Sequence, residues 1–170
     1  MTEPELITSQ LSELDDLEGF DCGVPGLDEW LRRHARRAHK DGTAVTTVWR
    51  RRGDGPVVGY YSICPTEIRR DGLTRRWHGG VTTVPGFMLA RLALDTSVHG
   101  QGLGTQILLD ALETICDAST LAGGRVVVVD PVSADAASFY GRYGFEAVNG
   151  STRMFLLVDD ARAALGLGPA

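Results

Sequence analysis

Between residues 87 and 115 the spacing of apolar side chains changes abruptly. Phe87 to Leu94 is a compact, mostly apolar run of strand length, whereas Ile107, Leu108, Ala111, Leu112 and Ile115 recur at the three- and four-residue spacing of a helix face. Gly100, Gly102 and Gly104 lie between the two patterns. The sequence therefore predicts a strand, a tight turn and a helix. Glycines in the turn let backbone N–H groups point inward, and the first helical turn adds unpaired N–H groups and a positive dipole end. Such a segment is a phosphate cradle.

Periodicity elsewhere predicts a first strand at Leu6–Gln10 and a helix over 25–40, closed by Gly42. On that helix Leu27, Trp30, Leu31, His34, Ala35 and Ala38 share one stripe, and Arg32, Arg33, Arg36, Arg37 and Lys40 fall opposite. Asp28 and Glu29 precede Arg32 and Arg33 by four positions, the spacing of helical ion pairs, but Arg36, Arg37 and Lys40 lack such neighbours. This basic face reads equally well as a solvated surface or as a set of phosphate contacts. Strands are predicted at 44–50 and 57–64, joined by a hairpin at Asp54-Gly55, and a strand over 148–158 precedes a short helical or frayed tail at 159–170. Residues 66–86 hold Arg69, Arg70, Arg75, Arg76 and Trp77 without periodicity, which predicts a surface loop.

A chain of 170 residues that is 43% hydrophobic suits one domain, residues 1–170, with a single core. Cys22, Cys64 and Cys116 are widely spaced, and His34, His39, His78 and His99 form no metal-type pair, so neither a disulfide nor a metal is expected. The acidic start and the absence of a long apolar run predict a soluble cytoplasmic protein that does not engage a membrane. The net charge of −5 conceals a division. From Arg32 to Arg76, eleven arginines and Lys40 stand against four acidic residues, a balance of +8 that leaves −13 elsewhere. Segregation on this scale is what a polyanion-binding face looks like in sequence.

Three cradle types compete for residues 99–104. A nucleoside-triphosphate loop needs a lysine followed by Ser or Thr after its last glycine; here Thr105 follows Gly104 directly. A dinucleotide fingerprint needs GxGxxG and an acidic residue about 20 positions on; the spacing here is GxGxG, and Asp130 is 26 residues beyond Gly104. The run His99-Gly100-Gln101-Gly102-Leu103-Gly104 instead resembles motif A of the GCN5-related N-acetyltransferases, Gln or Arg, two residues, Gly, any residue, then Gly or Ala. His99 departs from the first position. The resemblance extends to Arg125-Val126-Val127-Val128-Val129-Asp130 as the next strand, and to Ala136-Ala137-Ser138-Phe139-Tyr140 followed by Tyr143-Gly144-Phe145.

This resemblance implies an α/β (α+β) GNAT fold, a mixed, mostly antiparallel central sheet splayed at the motif A strand and flanked by helices. It also implies acetyl-CoA as co-substrate. Leu92, Ala93 and Leu94 would run beside pantetheine and offer it main-chain groups, with the Leu92 amide polarising the thioester carbonyl. The segment His99, Gly100, Gln101, Gly102, Leu103, Gly104 and Thr105 would hold the pyrophosphate. Tyr140 matches the family's acid. Its phenol, at ~10, lies only about 1.5 units above a thiol at ~8.5, a gap of roughly 2 kcal/mol for protonating the leaving thiolate. Packing is the competing role, because Ala136, Phe139, Tyr140 and Tyr143 share a helical face; Tyr143 is the alternative acid. Glu67 and His99 are weak candidates for a base. An α-amino acceptor at about 7.7–8.0 needs none.

Phe20-Asp21-Cys22-Gly23, Leu27-Asp28-Glu29-Trp30-Leu31, Gly59-Tyr60-Tyr61-Ser62 and Ala90-Arg91-Leu92-Ala93-Leu94-Asp95 are similar, in order and spacing, to the tRNA-acetylating toxins of bacterial toxin–antitoxin modules. That branch implies acetylation of aminoacyl-tRNA, inhibition of translation, a homodimer and a ribbon-helix-helix antitoxin. Arg36, Arg37, Lys40, Arg75, Arg76 and Arg91 become the candidate tRNA contacts. An acetyltransferase acting on a protein or small-molecule amine, and a non-catalytic CoA-binding module, are the other readings.

Overall fold

The computed structural model describes residues 6–148 and 150–169. Seven strands form one sheet in the order β1 (Leu6–Gln10), β2 (Val45–Arg51), β3 (Val57–Arg69), β4 (Thr83–Leu94), β5 (Val126–Val129), β7 (Met154–Leu157) and β6 (Glu146–Ala147). The β1/β2, β2/β3, β5/β7 and β6/β7 pairs are antiparallel, and β4/β5 is parallel. Helices α1 (Pro25–Arg33), α2 (Ala35–Asp41), α3 (Arg75–His78), α4 (Leu103–Ala122), α5 (Ala134–Arg142) and α6 (Val158–Ala164) complete the described elements with a 3-10 turn at Thr96–Val98. The mixed, mostly antiparallel α/β architecture is the one expected. None of the described helices is long and apolar enough to cross a membrane.

The described residues divide into two compact units, one formed by residues 6–64 with Arg91–Asp110 and the other by Pro65–Ala90 with residues 111–169. In the first unit Leu31, Ala35, Val48, Val57, Tyr60 and Ala93 form the core. Gly59 is required there, because a Cβ would lie 2.8 Å from Leu94 Cδ2 and 3.1 Å from Ile107 Cδ1. The glycine thus lets β4 and α4 close onto β3. In the second unit Trp77, Val84, Val126, Val128, Phe155 and Leu157 form the core. All four β5 valines are buried, as in a strand covered on both faces. Gly86 allows the parallel pairing, since a Cβ would stand 2.4 Å from the Val126 carbonyl oxygen. The pairing runs from Gly86 with Val126 to Met88 with Val128, and β4 continues six residues further to Leu94.

Several expected boundaries change. The helix over 25–40 is two helices, broken at His34, whose backbone turns to φ −120° and ψ −27°; Gly42 at φ +73° ends the second. The β2/β3 turn puts its positive φ at Gly53, +88°, rather than at Gly55. The predicted loop over 66–86 is largely structured: β3 runs to Arg69, α3 buries Trp77, and Arg70 N–H donates to the Thr82 carbonyl at 3.1 Å. Pro65 and Pro85 mask these strands in sequence. Of the strand expected over 148–158, whose position 149 lies outside the described residues, only β7 forms among the described residues; it pairs with β6, which precedes that span, and the tail begins as α6.

Candidate functional site

The strand, turn and helix around the glycines form as expected. β4 ends at Leu94, with Leu92 and Leu94 half-buried and Ala93 buried. Gly100 and Gly102 both take φ +75°, and a Cβ on either would meet nothing within 4 Å. Backbone conformation therefore demands glycine at these positions, and space does not. Leu103, Gly104 and Thr105 form the first turn of α4, which carries no acidic side chain, so its positive end is not neutralised from within. Gln101 and His99 are exposed.

Asp95, which the sequence marks only as the end of a short motif, organises this turn. Its Oδ2 accepts from the Asp21 N–H at 2.9 Å and its Oδ1 from the Ser97 N–H at 2.9 Å. Burial by itself would raise the Asp95 carboxyl. The backbone donors of Asp21 and Ser97, the Ser97 hydroxyl and the nearby His99 outweigh it and hold the carboxyl below its ordinary value. The signal for this role is an Asp followed by Thr and Ser at a turn, the pattern of a capping residue.

His99 is differently engaged from the role expected of it. Its Nε2 lies 2.7 Å from the Leu94 carbonyl oxygen. A carbonyl only accepts, so Nε2 carries the proton, and Nδ1 of the neutral ring is an acceptor. This ring nitrogen is thus engaged within the chain, whereas the backbone amides of the turn remain the donors that face outward from the glycines.

In the second unit Tyr140 lies on α5, whose N-cap Ser133 accepts from the Ala136 N–H at 3.1 Å. Its ring stands edge-on to Phe139 and Phe145, with centroids 5.4 Å away in each case. The residue is 8% exposed, and burial pushes its phenol up to about 12. No hydrogen bond to its hydroxyl is made by the described residues. Tyr143 is half-buried, lies on Phe139 with centroids 5.2 Å apart and borders an open groove of about 480 Å³ with Arg76, Glu146 and Asp160. Glu67 is exposed on β3.

The basic candidates separate by their partners. Arg36 donates to the Ser12 carbonyl at 3.3 Å and the Asp15 carbonyl at 2.6 Å, and lies 3.8 Å from Glu13. Arg37 pairs with Asp41 at 3.2 Å. The expectation of no acidic partner at helical spacing is thereby corrected for Arg37, whereas the acid near Arg36 lies 23 positions earlier in the chain. The spacing of Asp28 and Arg32 also misled: Asp28 is buried and accepts from the Cys22 N–H at 2.9 Å, while Arg32 donates to the Phe20 carbonyl at 2.6 Å. Arg33 and Glu29 do pair, at 3.5 Å. Arg76 bridges Glu146 at 3.2 Å and Asp160 at 2.6 Å. Lys40 and Arg75 are exposed and have no ion pair among the described residues. Arg91 lies over the Trp30 ring, 4.0 Å from its centroid. The described residues contain no cluster of ligating side chains that could hold a metal ion.

A family model described as an acetyltransferase (GNAT) domain matches residues 47–156. A tRNA-acetylating toxin of Mycobacterium tuberculosis is 33% identical over 159 residues, which cover 92% of this chain and 95% of that protein. The solved structure of AtaT complexed with acetyl-methionyl-tRNAfMet is similar at a TM-score of 0.86 and 26% identity, covering 94% of this chain and 99% of that one. A mutant AtaT toxin bound to acetyl-CoA and the C-terminus of the antitoxin AtaR is similar at a TM-score of 0.82 and 26% identity, covering 94% of this chain and 97% of that one.

Proposed function

We propose, because the chain belongs to the acetyltransferase (GNAT) family, that it transfers the acetyl group of acetyl-CoA to the α-amino group of aminoacyl-tRNA and so acts as a translation-blocking toxin. The observation that carries this reading is the 33% identity to a tRNA-acetylating toxin over 92% of the chain. The glycine turn and the acid-free start of α4 support the coenzyme half of it.

In this reading residues 1–170 act as one catalytic domain. Backbone amides from His99, Gly100, Gln101, Gly102, Leu103, Gly104 and Thr105 hold the pyrophosphate, with the helix dipole adding to their field. Leu92, Ala93 and Leu94 align pantetheine along β4, and the Leu92 amide stabilises charge developing on the thioester oxygen. The neutral α-amine forms the new C–N bond and gives up a proton to water. As the C–S bond breaks, Tyr140 donates its proton to the departing thiolate. A phenol at about 12 is a weaker acid than a free one, so its hydrogen bond to sulfur must strengthen as charge develops. An amine blocked by acetyl cannot attack a peptidyl ester, which is how the product arrests translation.

Two partners belong to the same proposal. The similar AtaT toxin binds the C-terminus of the antitoxin AtaR, and we assign this chain an antitoxin of the ribbon-helix-helix type and a homodimeric state. Incubating the purified protein with acetyl-CoA and total charged tRNA tests the activity. N-acetyl-aminoacyl-tRNA is the expected product. Acetylation of proteins or small amines with none on charged tRNA would overturn the assignment.

A further inference from the structure

The α1 side of the first unit carries a layered cluster with an uncompensated charge. Phe20 stands edge-on to Tyr60, with centroids 5.5 Å apart, and Trp30 is stacked on Tyr60 at 6.2 Å and 14°. The Tyr60 hydroxyl donates to the Leu27 carbonyl at 2.7 Å, which ties α1 to β3 and fixes the platform. Half-buried Arg91 covers the Trp30 ring at 4.0 Å. None of the described residues pairs with its charge or accepts a hydrogen bond from it. By contrast, Arg33, Arg36, Arg37, Arg50, Arg69, Arg76 and Arg153 all have carboxylate partners.

Burial penalises the Arg91 cation, lowering it from its ordinary value. The titratable groups that face it, Tyr60 and Cys64, supply no anion, because burial pushes both up and keeps them neutral at neutral pH. A partly desolvated guanidinium held flat on an indole keeps its in-plane N–H donors for a planar or tetrahedral oxyanion. It also adjoins Leu92 in sequence, so it belongs to the strand segment assigned to the reacting thioester.

We infer that Arg91, oriented by Trp30, binds a phosphodiester of the acceptor's single-stranded 3′ end, and that Trp30 is a positioning residue for this contact. The inference rests on the reading of the acceptor as aminoacyl-tRNA. It adds a means of selecting an amine attached to a polynucleotide over a free amine or an aminoacyl nucleoside. The same chemistry could be offered by the 3′-phosphate of coenzyme A, and the test separates the two sources.

Acetyl transfer is to be measured on aminoacyl-tRNA and on a phosphate-free aminoacyl nucleoside bearing the same amino acid, with acetyl-CoA affinity measured by calorimetry. Arg91→Gln should lower kcat/KM on aminoacyl-tRNA by about 10- to 100-fold, mainly through KM, the loss expected for a charge-assisted hydrogen bond. The loss should be confined to the phosphate-bearing acceptor, and the salt dependence of kcat/KM should flatten by about one charge. Trp30→Leu should reproduce the selective KM defect and Trp30→Phe should restore most of it, a rescue that marks positioning rather than folding. Equal losses on both acceptors, or a weakened acetyl-CoA affinity in Arg91→Gln, would overturn the inference while leaving tRNA acetylation by the unmodified protein intact. Failure of the unmodified protein to acetylate any charged tRNA would instead overturn the functional reading and this inference with it.

Discussion

The Oδ2 oxygen of Asp95 accepts a hydrogen bond from the backbone N–H of Asp21 at 2.9 Å, fixing the turn before the glycines to a segment 74 residues earlier. Because burial is outweighed by these donors, the folded carboxyl titrates below its unfolded value. The folded state then binds fewer protons, so the stabilisation is complete above the unfolded value, about 3.9, and is lost as pH falls through the lower folded value. Asp95→Asn should destabilise the protein by about 0.5–1.5 kcal/mol at pH 7, the net worth of hydrogen bonds that water can partly replace. Urea denaturation across pH would show that difference narrowing below about pH 4; a constant difference would mean that the charge is not what anchors the turn.

Gly104→Glu separates folding from coenzyme binding. Gly104 lies inside the first turn of α4 and does not share the positive φ of Gly100 and Gly102. A glutamate there is compatible with the helix and favoured by its dipole, yet it places a like charge against pyrophosphate. The variant should melt normally and show no acetyl-CoA binding by calorimetry. Unchanged affinity would remove the cradle assignment.

Tyr140→Phe keeps the edge-on packing against Phe139 and Phe145 and deletes only a hydroxyl that the described residues leave without a partner. Turnover should fall by roughly 10²-fold or more, while melting temperature and acetyl-CoA affinity change little. Near-normal turnover would return Tyr140 to a packing role and make Tyr143 the next residue to test.

The pH profile follows from the same residue. Burial lifts the Tyr140 phenol to about 12, so it keeps its proton at all lower pH values and remains competent as an acid. The α-amino acceptor becomes reactive as it loses a proton near ~7.7–8.0. The kcat/KM for aminoacyl-tRNA, measured on short timescales that spare the ester, should rise through that range and then level. A descending limb between about pH 8 and 10 would belong to a different acid.

The partners of the basic residues predict an ordering. Lys40→Ala with Arg75→Ala should weaken tRNA engagement and reduce its salt slope by about one for each phosphate left without its cation. Arg37→Ala with Arg76→Ala should reduce it less, because Asp41 neutralises the first arginine and Glu146 and Asp160 the second. Filter binding at several salt concentrations distinguishes the pairs. Equal slopes in all variants would make the basic face a solvated surface.

Local chemistry made the strand, turn and helix around the glycines legible. The change in apolar period around residue 100, the positive φ demanded at Gly100 and Gly102, and the cap residues all act within a few positions, so one sequence contains the whole cause. The break at His34 was not legible, because Leu31 and Ala35 remain on one apolar stripe whether or not the helix continues between them. Nor was the structure within 66–86, where prolines obscure strands that form only through pairing and where Trp77 acquires meaning from Phe155 on another strand. Charge was the least legible of all. Arg76 meets residues 70 and 84 positions away, Arg36 turns to carbonyls 21 and 24 positions back, and the His99 ring is claimed by the Leu94 carbonyl. The sequence alone determined the strand–turn–helix segment and the family resemblance, since both rest on residue order and near-neighbour spacing. Tertiary structure alone decided which cations are neutralised and which, like Arg91 on Trp30, remain available, because side-chain pairing depends on distances that chain separation does not encode.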